Sequence, residues 1–208
     1  VFAKHLSRII MSLLLIFVAL ITFTFAADPL IWPLPTTFTI SPTRDLNLAL
    51  TFNITTTSTS QILQKGIDRY MRDIIFTHLP DGTPKAPLVT SLSVTAKIPD
   101  ETLQLGTDES YTLNIKEGES TLSANTVYGA LKGLETFSQL VVYNFSLGYY
   151  ESSTSTITDM PRFKWRGILI DTSRHYQSVR SIARLLEAMS YAKLNVLHWH
   201  ITDTQSFP

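Results

Sequence analysis

The sequence of 208 residues contains no cysteine and carries no net charge. The absence of cysteine excludes disulfide frameworks, thiolate metal sites and cysteine nucleophiles, although a chain of this length can bury a core without disulfides. Seventeen basic residues balance seventeen acidic ones. Because no basic run follows the first eight residues, nucleic acid is not expected as a partner. Apolar residues make up 44% of the chain and charged residues 16%, which excludes a chain that is mainly disordered.

Both ends of the sequence look like the ends of a fragment. The chain does not begin with methionine, and Lys4 and Arg8 precede an apolar stretch that ends at Phe25 and is followed by two alanines. This layout predicts a secretory signal peptide over residues 1–27, with a membrane anchor as the alternative. Met11 is an alternative start. After cleavage of the signal, no stable membrane span is expected.

Two N-glycosylation sequons begin at Asn53 and Asn144. They acquire meaning if the chain enters the secretory pathway, because the glycosyl transferase acts there. The alternative is chance occurrence in a chain rich in serine and threonine. Together with the signal peptide, the sequons predict a glycoprotein of the secretory pathway, with the vacuole or lysosome or the extracellular space as its destination.

Residues 28–150 have the patterns of a small α+β domain. Apolar residues three and four positions apart predict one amphipathic helix over 62–75 and a second over 127–141. Alternation of apolar and polar residues predicts strands at 92–98 and 111–115. We expect an antiparallel sheet with both helices on one face.

The sequence changes character after this domain. A stretch rich in serine and threonine predicts a linker over 151–160. Patterns for a strand, a helix and a second strand follow, at 167–171, 179–189 and 195–201. They predict a βαβ unit, and such a unit cannot cover its own sheet edges. We therefore expect 161–208 to be the start of a larger parallel barrel or sheet.

Two long runs in this last segment resemble a known family. They are Arg166-Gly-Ile-Leu-Ile-Asp-Thr-Ser-Arg-His-Tyr176 and Tyr191-Ala-Lys-Leu-Asn-Val-Leu-His-Trp-His-Ile-Thr-Asp203. They resemble the opening of the catalytic barrel of glycoside hydrolase family 20, the β-N-acetylhexosaminidases, with plant members as the nearest match. Segments 31–35, 108–113 and 127–139 resemble the family's small N-terminal domain. The resemblance implies that 161–208 begins a (β/α)8 TIM barrel that is truncated after its second strand.

The resemblance implies a hydrolase that removes terminal non-reducing β-linked N-acetylglucosamine or N-acetylgalactosamine. In its retaining mechanism the 2-acetamido oxygen of the sugar attacks the anomeric carbon, so that neither an enzyme nucleophile nor a cofactor is required. The family's catalytic Asp-Glu pair would lie beyond Pro208, and this chain alone is expected to be inactive. The pairs Asp100-Glu101 and Asp108-Glu109 precede the barrel and are expected to be solvated surface or turn residues.

Two residues match functional positions of the family. Arg174 corresponds to the arginine that binds ring hydroxyls of the terminal sugar, and Asp203 to the aspartate that supports the general acid through a histidine. Thr204 stands where many relatives carry a second aspartate, which puts a direct carboxylate contact to the substrate in doubt. The residues alone also allow an ion pair between Arg174 and Asp171, and a capping role for Asp203.

The histidines and tryptophans near these positions have alternative interpretations. His198 and His200 form a His-X-His pair, which metal-dependent amidohydrolases also use, but on their first strand. Because a strand and a helix precede the pair here, we expect buried histidines and no metal site. Trp165 and Trp199 are expected in the core, with stacking on a sugar face as the alternative.

The expected partners follow from the same resemblance. They are glycan substrates, namely glycoprotein N-glycans and chito-oligosaccharides, and a homo-oligomer of the full-length protein stays an open alternative. The rival function is that of a secreted, non-catalytic glycan-binding or scaffold protein on the same folds, because a fold does not fix a function.

Overall fold

The computed structural model describes residues 31–207. The predicted signal peptide, residues 1–27, lies outside the described residues. The strands are β1 (Thr37–Ile40), β2 (Leu46–Thr56), β3 (Leu88–Ile98), β4 (Tyr111–Ile115), β5 (Gly118–Thr126), β6 (Val142–Asn144), β7 (Tyr149–Ser152), β8 (Ser155–Asp159), β9 (Gly167–Asp171) and β10 (Val196–His200). The helices are α1 (Gln61–Arg69), which continues as a π-helical turn over Tyr70–Ile75, α2 (Val127–Leu140) and α3 (Val179–Tyr191).

Strands β1 to β8 form one sheet in the order β1-β8-β4-β5-β3-β2-β7-β6. The α+β class is confirmed, but the expected antiparallel arrangement is wrong, because β3 pairs in parallel with both β2 and β5. The remaining neighbours are antiparallel, so the sheet is mixed. The physical reason lies in the connection, since the chain crosses through α1 between β2 and β3 and returns in the same direction.

The predicted linker over 151–160 is mostly strand. Its first residues end β7, and Ser155–Asp159 form β8. β8 lies between β1 and β4 and pairs with both in antiparallel register. Ser155 and Ile157 are buried, whereas Thr156 and Thr158, which alternate with them, are exposed. The segment therefore has the two-residue period of a half-buried strand, and threonine is well suited to such a surface.

Helices α1 and α2 pack on one face of this sheet and enclose its core. Ser60 caps α1, and its hydroxyl accepts a hydrogen bond from Leu63 N at 3.1 Å. Thr126 caps α2 in the same way, with Gly129 N as the donor. The core contains fully buried side chains from both helices and from the sheet, among them Leu63, Leu92, Leu113, Leu122, Leu134, Phe137 and Ile157. No helix within residues 31–207 is long and apolar enough to cross a bilayer.

The segment β9-α3-β10 is the predicted βαβ unit. β9 and β10 pair in parallel, in a register that runs from Gly167 opposite Val196 to Asp171 opposite His200. Ser178 caps α3 between them. The faces of this pair of strands are not enclosed by the described residues, since Leu169 is 57% exposed. The carboxyl ends of both strands lie side by side, and this places the polar residues that follow them together.

Candidate active site

Polar side chains meet where β9 and β10 end. The backbone N–H of Thr172 extends the ladder by donating to the carbonyl of His200 at 3.0 Å. The indole Nε1 of Trp199 donates to the Thr172 hydroxyl at 2.9 Å. These contacts join the ends of the two strands, and carboxyl ends of parallel strands are the usual place for active-site groups in α/β folds.

Asp171 shapes the turn that follows β9. Its Oδ1 accepts hydrogen bonds from Ser173 N at 3.0 Å, from the Ser173 hydroxyl at 2.8 Å and from Arg174 N at 3.0 Å. Burial of the carboxyl acts to raise its pKa, but these donors outweigh that effect, so the pKa of Asp171 lies below its ordinary value. An ionised Asp171 therefore fixes the backbone from which the Arg174 side chain extends.

Asp203 plays the same part in the turn that follows β10. Its Oδ1 accepts hydrogen bonds from Gln205 N at 2.9 Å and Ser206 N at 3.0 Å, while its Oδ2 accepts one from Arg174 Nε at 2.8 Å. The two backbone donors, and then the guanidinium, hold the pKa of Asp203 below its ordinary value. Its capping and ion-pairing roles therefore use different oxygens of one carboxylate.

The structure brings Arg174 and Asp203 together in an ion pair. The Nε of Arg174 is 2.8 Å from Asp203 but 4.0 Å from Asp171, so the alternative pairing with Asp171 is the weaker contact. The Arg174 side chain is 66% exposed. Its terminal nitrogens make no hydrogen bond to residues 31–207. The two terminal nitrogens of the planar fork thus remain available to a ligand.

The histidines and tryptophans of this segment are only partly covered within residues 31–207. His198 is exposed and His200 is half-buried, and their burial inside the complete barrel stays a prediction. Among the described residues, no group of three or more His, Cys, Asp or Glu is placed to hold a metal ion. Trp165 is 59% exposed and Trp199 43%. Neither tryptophan belongs to the core of residues 31–207, and Trp199 lies beside the Arg174 turn through its bond to Thr172.

The two sequons occupy different environments. Asn53 lies exposed in β2, opposite Ser91 of β3. Asn144 is half-buried at the end of β6, where its Nδ2 donates to Glu151 Oε2 at 2.9 Å and its Oδ1 accepts from Ser146 N and Leu147 N. Glycosylation of either residue stays a prediction.

Of the two acidic pairs in the small domain, one residue differs from the expected solvated surface or turn position. Glu101 accepts from Ser60 and Ile62 at the start of α1, and Asp108 accepts from Ser110 N, as expected for surface and turn residues. Glu109, in contrast, is 9% exposed and its carboxylate is 2.6 Å from the guanidinium of Arg166. The expectation of a solvated Glu109 is wrong. Its partner lies 57 positions away in the sequence, so the residues around Glu109 do not predict the contact.

Comparison with known proteins agrees with this geometry. The family description "Glycosyl hydrolase family 20, catalytic domain" matches residues 163–208, and "beta-acetyl hexosaminidase like" matches 31–140. Beta-hexosaminidase 1 of Arabidopsis thaliana is 43% identical over 204 residues, which cover 88% of this chain and 37% of the relative. The beta-hexosaminidase subunit beta of Homo sapiens is 42% identical over 193 residues, covering 86% and 34%.

Solved structures give the same result. A chitobiase from Flavobacterium johnsoniae superposes with a TM-score of 0.65 and 32% identity, covering 85% of this chain and 28% of that one. An exo β-N-acetylglucosaminidase from Vibrio harveyi, solved in complex with N-acetylglucosamine, has the same fold, with a TM-score of 0.66 and 22% identity. The chain spans about a third of the length of the relatives it matches. The resemblance inferred from the two runs around Arg174 and Asp203 is confirmed, and the chain belongs to glycosyl hydrolase family 20.

Proposed function

We propose that the protein containing this chain hydrolyses terminal non-reducing β-linked N-acetylhexosamine residues by substrate-assisted, retaining catalysis. The observation that carries the proposal is the pairing of Arg174 with Asp203 at the carboxyl ends of β9 and β10, 2.8 Å apart, with the Arg174 side chain 66% exposed. Family membership supports it, because Arg174 and Asp203 occupy the matching positions of the family's sequence runs.

Arg174 is the residue that binds the sugar. The guanidinium presents two parallel N–H groups in a fixed plane, a spacing that suits two neighbouring hydroxyls of a pyranose ring. Asp203 holds the Nε, which removes rotational freedom from the long side chain before the substrate arrives. The pair therefore acts as a preorganised clamp for the terminal residue.

Asp203 has a further role through its surroundings. A carboxylate with a lowered pKa stays ionised under acidic conditions, and an ionised Asp203 can orient a histidine that in turn supports the general acid. The acid and the residue that orients the 2-acetamido group belong to an Asp-Glu pair beyond Pro208. General acid catalysis alone supplies about 10²–10⁴-fold of rate, so this chain by itself is inactive.

The wider assignments follow the same reasoning. Residues 161–208 form the first βαβ unit of a TIM barrel, and the segment from residue 28 precedes it as a small α+β domain. The substrates are N-glycans and chito-oligosaccharides. The protein enters the secretory pathway, carries N-linked glycans and resides in the vacuole or lysosome or outside the cell.

Arg174→Ala in the full-length protein tests the proposal. A hydrogen bond to a charged group contributes about 1.5–3 kcal/mol, so the loss of two such bonds lowers kcat/KM for an aryl N-acetyl-β-glucosaminide by about 10²–10⁴-fold. Arg174→Lys retains the charge but not the fork and recovers only part of the activity. Arg72→Ala is the matched control, since Arg72 also makes a 2.8 Å ion pair, with its neighbour Asp73 on the exposed surface.

Two results contradict the proposal. One is full activity of the Arg174→Ala protein. The other is a full-length protein that does not turn over aryl substrates but is retained on immobilised N-acetylglucosamine, which supports the non-catalytic glycan-binding alternative.

A further inference from the structure

The amino ends of β9 and β10 are held by buried polar contacts that the function above does not use. Arg166 precedes β9, and Lys193 and Asn195 precede β10. All three reach into the small domain, at the ends of the strands opposite to Arg174 and Asp203. These contacts form two clusters, the Glu109 cluster and the Lys193 cluster.

The Glu109 cluster holds the start of β9. Glu109 Oε2 is 2.6 Å from Arg166 Nη2 and 3.4 Å from Asn195 Nδ2. Lys132 of α2 adds a second cation, 3.5 Å from Glu109 Oε1. The side chains of Glu109, Arg166 and Lys132 are 9%, 14% and 17% exposed. One carboxylate of the small domain therefore contacts the residues before both strands of the βαβ unit.

The Lys193 cluster holds the start of β10. Lys193 is 5% exposed. Its Nζ donates to the Thr136 hydroxyl at 2.5 Å and to Tyr111 Oη at 2.9 Å, and it is 3.4 Å from Asp159 Oδ2. These three partners come from α2, β4 and β8 of the small domain. Burial holds the pKa of Lys193 below its ordinary value, with Asp159 acting in the opposite direction.

The two clusters are joined through the backbone of Lys193. Its carbonyl accepts a hydrogen bond from Arg166 Nε at 3.1 Å. Its φ of +54° lies in the left-handed region, which lets the chain turn tightly between α3 and β10. Arg166 N also donates to the side chain of Asn195 at 3.0 Å. The turn after α3, the start of β9 and the start of β10 thus share one network with the small domain.

Burying these charged groups costs desolvation free energy, so the network is better explained by the specific arrangement that it imposes than by net stability. Apolar residues of similar volume are often as stabilising as a buried ion pair, so buried pairs are weak sources of net stability. Directional contacts to three elements, in contrast, permit one register and one orientation. Register matters here because a shift of one residue between β9 and β10 would move every side chain of the shifted strand to the other face.

We propose that the small domain is the base that aligns the first two barrel strands, and that Lys193 and Glu109 are positioning residues for Arg174 and Asp203. Each strand is five residues long, so about 13 Å separates its fixed end from its functional end, at roughly 3.3 Å per residue. A displacement at the amino ends is carried along the strands to the sugar-binding pair. The expected change in kinetics rests on the proposed function, whereas the alignment of the strands does not.

A matched pair of tyrosine variants in the full-length protein tests the proposal. Tyr111→Phe removes a hydroxyl that contacts Lys193, whereas Tyr70→Phe removes a hydroxyl that donates to Glu135 within the small domain, at 2.8 Å. The two residues are equally buried, at 3% and 4% exposure. Both variants should lower the melting temperature, and Tyr111→Phe should lower it more because its hydroxyl also contacts Thr136 and Asp159. Lys193→Met is a third variant with a larger expected effect.

Hydrogen exchange and kinetics then separate positioning from stability. We expect exchange at the amides of Val196–His200 to become at least about tenfold faster in Tyr111→Phe and Lys193→Met but not in Tyr70→Phe. In the same two variants KM should rise about three- to tenfold because Arg174 is displaced, and kcat should fall because Asp203 supports the general acid, whereas Tyr70→Phe should leave both within about twofold of the wild type.

The outcomes are distinguishable from those of the proposed function. Equal exchange in the two tyrosine variants overturns the alignment, and faster exchange with an unchanged KM overturns the positioning role. If the wild-type protein turns over no substrate, the proposed function fails, and exchange alone then decides whether the small domain aligns the strands. If Lys193→Met does not fold, the tyrosine pair decides.

Discussion

Replacement of Gly133 by alanine probes a close approach of α2 to strands β4 and β5. Gly133 is buried in the middle of α2, and a methyl group at this position would overlap Leu122 Cδ1 and lie 3.1 Å from Tyr111 Cδ2. Leu122 is 1% exposed and cannot move outward. Tyr111 is held through its hydroxyl by Lys193 and Asp159. The extra methyl group therefore finds no space.

The expected magnitude is the difference between two effects. Alanine in place of glycine stabilises a helix interior by about 1 kcal/mol. Overpacking of a close-packed core costs about 1–3 kcal/mol, and the rigid surroundings of Gly133 favour the upper half of this range. Gly133→Ala should therefore lower the free energy of unfolding by about 1–2 kcal/mol.

Gly66→Ala in α1 is the matched control. A methyl group there would overlap only the tip of Leu131, whose next atom is 3.8 Å away and whose side chain is half-buried. Leu131 can change its rotamer, so the gain in helix propensity remains and Gly66→Ala should be neutral or more stable by up to about 1 kcal/mol. Urea unfolding of the two full-length variants measures the difference. Equal midpoints, or a stabilised Gly133→Ala protein, would refute the packing argument.

Two further predictions concern a cap and a carboxylate. Ser60→Ala should lower the free energy of unfolding by about 1–2 kcal/mol, because the Ser60 hydroxyl caps α1 and also donates to Glu101 at 2.6 Å. Ser178→Ala in α3 should cost less in the same urea assay, since Ser178 is less buried, and equal losses would contradict the added value of Glu101. The carboxyl carbon of Asp203 should titrate in an NMR experiment with a midpoint below 3.8. Because its folded pKa is lowered, the Asp203 contribution to stability is present at neutral pH and is lost as the pH falls through that midpoint, and a midpoint above 3.8 would contradict the assigned contacts.

The periodicity of apolar residues in the sequence was sufficient to predict the helices and strands that bury one face. The apolar spacing around Ile67 and Leu134 predicts α1 and α2, and the continuous run after Arg166 predicts β9. Strand direction was not predictable from alternation, because parallel and antiparallel strands bury the same residues at every second position. The family runs identified Arg174 and Asp203, whereas their 2.8 Å contact required the paired strands.

The errors at the linker and at Glu109 share one cause, which is dependence on distant partners. Ser155 and Thr156 have the composition of a linker, and they become strand because β1 and β4 lie on either side of them. Glu109 has the sequence neighbours of a surface turn, and its burial depends on Arg166 and Lys132. Sequence windows of ten to twenty residues do not contain such partners.

The position of β1 in the sheet bears on the order in which the protein is synthesised and folds. Within residues 31–207, β1 is the first strand, and it lies at the edge of the sheet beside β8, with Ile40 opposite Ser155. These two residues are 155 − 40 = 115 positions apart. At a ribosomal elongation rate of about 5–20 residues per second, β1 waits on the order of ten seconds for its partner to be made. During that interval the hydrogen-bonding groups of Thr37–Ile40 lack their partner strand β8, so this nascent segment is open to non-native pairing or to binding by a chaperone.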